Sequence, residues 1–166
     1  MARFGIRRTG KGDEGVTLDY QPFLDALEAL HAAGAELSGQ VMPAVAEVLV
    51  SEILEVFERE GAVAGRSKWP DFWWARQGLE KPKTRRFSTG VLKLLQDTGN
   101  LVGSITPYSE HAVAEAFSNV PYAGYHVSQR PRKKIPLRDF TDIDFEAAQR
   151  EATEIILAQL DANAGR

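Results

Sequence analysis

Between Val41 and Glu60 apolar side chains recur three or four residues apart, and Val45, Leu49, Ile53, Val56 and Phe57 fall on one face of a helix. Pro43 suits a first turn, and Gly61 is a stop signal. Twenty helical residues span roughly 30 Å, the width of a small domain, so the rest of the chain must pack along this element. A second stripe precedes it: Gln21-Pro22 opens a helix on which Phe23, Leu27, Leu30, Gly34 and Leu37 align. A third stripe, Phe145, Ala148, Ala152, Ile156 and Leu160, predicts a helix from about Asp142 to Asp161. Thr141 or Asp142 serves as its N-cap, and Asp144 and Glu146 suit the positive end of its dipole.

The middle of the chain reads as β-structure. Leu101–Thr106 and His111–Phe117 are predicted strands joined by Pro107-Tyr108-Ser109-Glu110. In the second strand Val113, Glu115 and Phe117 share one face, and Ala112, Ala114 and Ala116 the other. Val16–Tyr20 alternates like a strand, Val91–Leu95 is a short helix or extended segment, and Pro121–Val127 is a further strand or a loop. Ile135–Phe140 is expected to be extended at a sheet edge, where proline belongs because it cannot donate to an inner ladder. Helices at both ends and strands between them predict an α+β fold. It is a small antiparallel sheet from residues 101–140, flanked by two N-terminal helices and one C-terminal helix. The length, 166 residues, suits a single domain over 16–162 with a loop-rich insertion at 61–90. Residues 1–15, with four basic residues and four glycines, are expected to be a flexible arm, and 163–166 a frayed tail.

Several kinds of chemistry are excluded or disfavoured. There is no cysteine, hence no disulfide, thiol nucleophile or zinc-thiolate site. The three histidines, His31, His111 and His126, have no metal-ligand spacing among them. Lys11 is followed by Gly12, where a phosphate-cradling loop needs Ser or Thr. His126 has no local carboxylate or nucleophile motif and reads as structural. Asp139, Asp142 and Asp144 lack the glycine and distal glutamate of a calcium loop, and helix capping accounts for them. No catalytic residue, cofactor or metal is therefore expected. The N-terminus lacks the apolar stretch of a signal peptide, and no apolar run approaches the roughly 18 residues of a membrane span. The expectation is a soluble protein of the cytoplasm.

Charge is more informative by position than in total. The net charge is −3, too small to indicate a nucleic-acid or membrane partner. Residues 19–60 hold nine acids and one base, whereas 66–93 hold eight bases and two acids. Residues 130–138 hold five bases and no acid, and 139–161 return to seven acids and one base. Acidic helices thus alternate with basic loops. Opposed patches of this kind orient association between subunits, and we expect basic loops of one copy to meet acidic helices of the next. Direct DNA contact through the basic loops is the alternative. The bunched rings Trp69, Phe72, Trp73 and Trp74 are too crowded for one short element to bury, so some must anchor a loop or meet a partner.

From Trp69 onward one ordered set of segments stands out. Trp69 and a Lys/Arg-rich stretch precede Leu94-Leu95-Gln96-Asp97-Thr98-Gly99-Asn100-Leu101 and Ser104-Ile105. Val120-Pro121-Tyr122-Ala123 with His126 follows, then Ile135-Pro136-Leu137-Arg138-Asp139-Phe140 before the last helix. In order and spacing this resembles the phage virion morphogenesis family, of the Mu-like protein G and tail-completion type. Val127 stands where that family commonly has glutamine, and Asp139 where it has a second proline. The resemblance implies a non-enzymatic virion protein of the phage neck, a tail terminator or head–tail joining subunit. Such a subunit assembles as a ring, commonly a hexamer, at the head-proximal end of the tail. It meets the tail tube protein, a head–tail connector, or both. The expected contact residues are Trp69, Trp73, Trp74, Arg85, Arg86, Arg130, Arg132, Lys133, Lys134 and Arg138.

Overall fold

The computed structural model describes residues 3–4, 21–72, 76–78, 93–96, 98–110, 113–128 and 136–164. In chain order these form β1 (Arg3–Phe4), α1 (Gln21–Ala33), α2 (Ala35–Glu58), a 3-10 turn (Val102–Ser104), β2 (Ile105–Glu110), β3 (Val113–Ser118), α3 (Ala123–Val127) and α4 (Phe145–Ala164). The class is α+β, with helices on the N-terminal and C-terminal sides of the sheet. The chain gathers into two compact units, one of residues 1–52, 106–117 and 144–166, the other of 53–105 and 118–143.

In the first unit α1 packs on α4. Its core joins Phe23, Ala26, Leu27 and Leu30 of α1 to Val41, Met42, Val45 and Ala46 of α2, with Ala114, Ala152 and Ile156. Each fully buried large aliphatic side chain here contributes about 1.5–3 kcal/mol. The stripe expected to run on through Gly34 and Leu37 is broken. Gly34 has φ 106°, a conformation that ends α1, and α2 starts at the next residue instead of at Val41. Pro43 consequently lies inside α2. It is tolerated because Pro43 and Gly39, whose carbonyl loses its helical donor, are both exposed to water.

The sheet has the order β1-β3-β2, with β2 antiparallel to β3. β1 runs parallel to β3, Arg3 opposite Val113 and Phe4 opposite Ala114. The segment expected to be the hairpin loop, 107–110, belongs to β2 together with Ile105 and Thr106, and Val102–Ser104, expected to be strand, make the 3-10 turn. Pro107 fits because, among the described residues, β2 is an edge strand with one unpaired side. Ser104 Oγ closes the turn, donating to the Leu101 carbonyl at 2.7 Å and meeting Ser118 Oγ at 2.6 Å. Among the described residues no strand follows Ser118. Ala123–Val127 is a short helix, and 136–139 is irregular. The strand expected at Val16–Tyr20 lies outside the described residues, as do the first two residues of the helix or extended segment expected at Val91–Leu95, in which Leu94 and Leu95 form a turn.

In the second unit the end of α2 sets the geometry. The Gly61 N–H donates to the Val56 carbonyl at 2.8 Å and the Glu60 N–H to the Phe57 carbonyl at 3.2 Å, the paired bonds of a Schellman cap. Gly61 has φ 88°, and the chain folds back so that Trp69 lies over it. Trp69 meets Phe57 edge-on at 6.0 Å between centroids, while Phe140 stacks on Phe57 at 5.2 Å. A β-carbon at Gly61 would lie 2.4 Å from Trp69 Cδ1. Gly61→Ala therefore displaces the indole and strains the backbone, and should lower stability by about 1–3 kcal/mol in urea unfolding.

Candidate functional site

Two of the ten expected contact residues are described, and both face inward. Trp69 anchors its loop on Phe57, as above. Arg138 is 7% exposed. Its Nε and Nη2 donate to the Pro70 carbonyl at 3.2 and 2.9 Å, and Nη2 also to that of Asp71 at 3.2 Å. The guanidinium sits 5.8 Å from the Phe72 ring centroid. Burial, and then the nearby charge of Arg76, lower its pKa from the ordinary value. It remains protonated, because arginine starts so high. Trp73, Trp74, Arg85, Arg86, Arg130, Arg132, Lys133 and Lys134 lie outside the described residues.

A second arginine does similar work in the same unit. Arg66 donates through Nη1 to the Asp142 carbonyl at 2.5 Å and through both Nη atoms to that of Ile143 at 3.2 Å. Its Nε pairs with the Asp142 carboxylate at 3.2 Å. Residues 66–71 are thus fastened to 138–143 by two guanidinium groups bonded mainly to backbone carbonyls. Spacing alone pointed to neither clamp, since a basic run carries no mark of which members turn inward.

Glu60 is the third fixed charge. It occupies the left-handed region at φ 51°, unusual for a residue with a side chain and normally left to glycine at this cap position. Its carbonyl accepts the Trp69 N–H at 2.7 Å, Oε1 accepts the Leu94 N–H at 2.6 Å, and Oε2 pairs with Lys68. Burial pushes its pKa up. The hydrogen bonds from Lys68 and Leu94 and the charges of Lys68 and Lys93 outweigh that and hold it below the ordinary value.

The other candidates have these surroundings. His126 packs edge-on to Tyr122 and Tyr125 at 6.4 and 6.5 Å between centroids. Asp139 accepts the Thr141 N–H at 3.0 Å and its hydroxyl at 2.6 Å. The N-cap of α4 is Asp144, not Thr141 or Asp142, since its Oδ1 accepts the Ala147 N–H at 3.1 Å. Among the described residues no group of three or more His, Asp or Glu is placed to hold a metal, and no helix is long and apolar enough to cross a membrane.

The charge pattern survives folding in the first unit. Asp25 and Glu28 on α1, Glu47 on α2, Glu110 and Glu115 on the sheet, and Glu146, Glu151, Glu154 and Asp161 on α4 are all exposed. Arg150 is the one Lys or Arg among the described side chains of that unit. No protein-family model, curated protein or solved structure matches the chain.

Two outcomes follow. Arg138→Leu strips the Pro70 and Asp71 carbonyls of their donors and should cost roughly 1–3 kcal/mol in urea unfolding. Glu60, with a lowered folded pKa, stabilises the fold fully above its unfolded value of about 4.3, and that increment is lost as pH falls through the folded value. Urea midpoints measured against pH should therefore converge for the native chain and Glu60→Gln on the acid side, and separate towards neutrality.

Proposed function

We propose that the chain is a structural subunit of the phage neck, a tail-completion or head–tail joining protein. Copies assemble head-to-tail as a ring at the head-proximal end of the tail, in the virion, without catalysing a reaction. Their partners are further copies, the tail tube protein and the connector. The observation that carries this reading is the separation of charge. The first unit presents acids on every described element that has an exposed charged side chain, while the sequence places its densest bases at 81–86 and 130–134. A molecule with two unlike, complementary faces favours a heterologous contact over self-pairing of identical faces, and repeated heterologous contacts close a ring when the rotation allows. The order and spacing of the segments from Trp69 to Phe140 also support the family reading.

Charge reversal at Arg85 and Arg86 tests this. Arg85→Glu/Arg86→Glu should keep the native circular dichroism and melting temperature while abolishing rings in electron micrographs and tail joining in assembly reactions. Rings and normal particles from that variant would refute the role given to these residues. A gel shift with a steep salt dependence would instead support DNA binding.

A further inference from the structure

Ala114 is buried in the first unit's core, so the alternation along β3 sends Val113, Glu115 and Phe117 to the opposite face of the sheet. From β2 the same face receives Tyr108 and Glu110. The Tyr108 hydroxyl donates to Glu110 Oε2 at 2.7 Å, and the charge of Glu115 reaches Tyr108. The face is open: Tyr108 is 44% and Phe117 47% exposed, and both carboxylates are exposed. It combines two aromatic rings with two carboxylates; β2 and β3 contribute no base, and β1 brings Arg3 into register with Val113 at the margin away from β2.

We propose that this face seats residues 130–134 of a second copy of the chain, an inference that rests on the ring-subunit reading above. That segment, Arg130-Pro131-Arg132-Lys133-Lys134, has four cations in five residues and no acid. Guanidinium and ammonium groups lie favourably over Tyr and Phe rings while pairing with carboxylates beside them. The Tyr108 hydroxyl fixes one oxygen of Glu110, so part of the acceptor array is oriented before binding. Pro131 restricts the segment, which reduces the conformational freedom lost on docking. Two carboxylates repel a phosphate backbone, so the face does not suit DNA. Face and segment are different parts of one chain, so the contact is heterologous and repeats from copy to copy.

Charge exchange tests it. Sedimentation across a concentration series should show the native chain self-associating. Glu110→Lys/Glu115→Lys should weaken that association by roughly a hundredfold, and Arg132→Glu/Lys133→Glu likewise, with melting temperatures unchanged. Each variant alone opposes like charges, whereas an equal mixture has opposite charges at every contact and should recover assembly. Native-like association of the face variant overturns this face as the seat and leaves the ring reading standing. Failure of the mixture to recover, with both variants folded, also overturns it. A native chain that stays monomeric throughout and joins no tails overturns both.

Discussion

An indole cannot lie against a helix terminus that carries a side chain at the point of contact. Gly61 removes that side chain, and the rest of the second unit is organised around the resulting approach of Trp69. Phe57, on the last buried turn of α2, is then met by Trp69 on its edge and Phe140 on its face. Its carbonyl also accepts the Gln96 side-chain amide at 2.7 Å. The neighbouring Glu60 accepts a left-handed backbone because three of its oxygens are occupied from Trp69, Leu94 and Lys68. Local strain of this kind persists where surrounding contacts over-determine it.

Helical faces were legible because burial imposes a period that the sequence must show. Val45, Leu49, Ile53, Val56 and Phe57 are all buried, as are Ala148, Ala152 and Ile156. The alternation in 113–117 was equally clear, with Ala114 inward and Glu115 and Phe117 exposed. Boundaries were less so. Gly34 sits at a position in phase with the stripe, and only its backbone conformation shows it as a break. Pro107 reads as a loop residue until β2 is known to be an edge. The parallel strand Arg3–Phe4 is too short to leave any periodic signal.

The candidate site was legible as chemistry but not as direction. Arg66 and Arg138 belong to the basic segments by sequence, yet both are committed to backbone carbonyls of their own chain. Buried carbonyls outside helices and strands need donors, and a guanidinium, with several in fixed geometry, supplies one loop with bonds to two or more of them. A count of charges therefore overstates what a basic loop offers to partners. Most acids of the first unit differ, standing exposed on its helices and strands, whereas Glu52 is buried and Asp144 caps α4.

Pro107 has a bearing on how copies of this protein can meet. The outer margin of β2 is where another chain's backbone would lengthen the sheet, and the imide nitrogen there has no hydrogen to give. Stacking of sheets margin to margin, the route to fibrils, is interrupted in the middle of the strand. Copies at high concentration are thereby turned away from templated polymerisation.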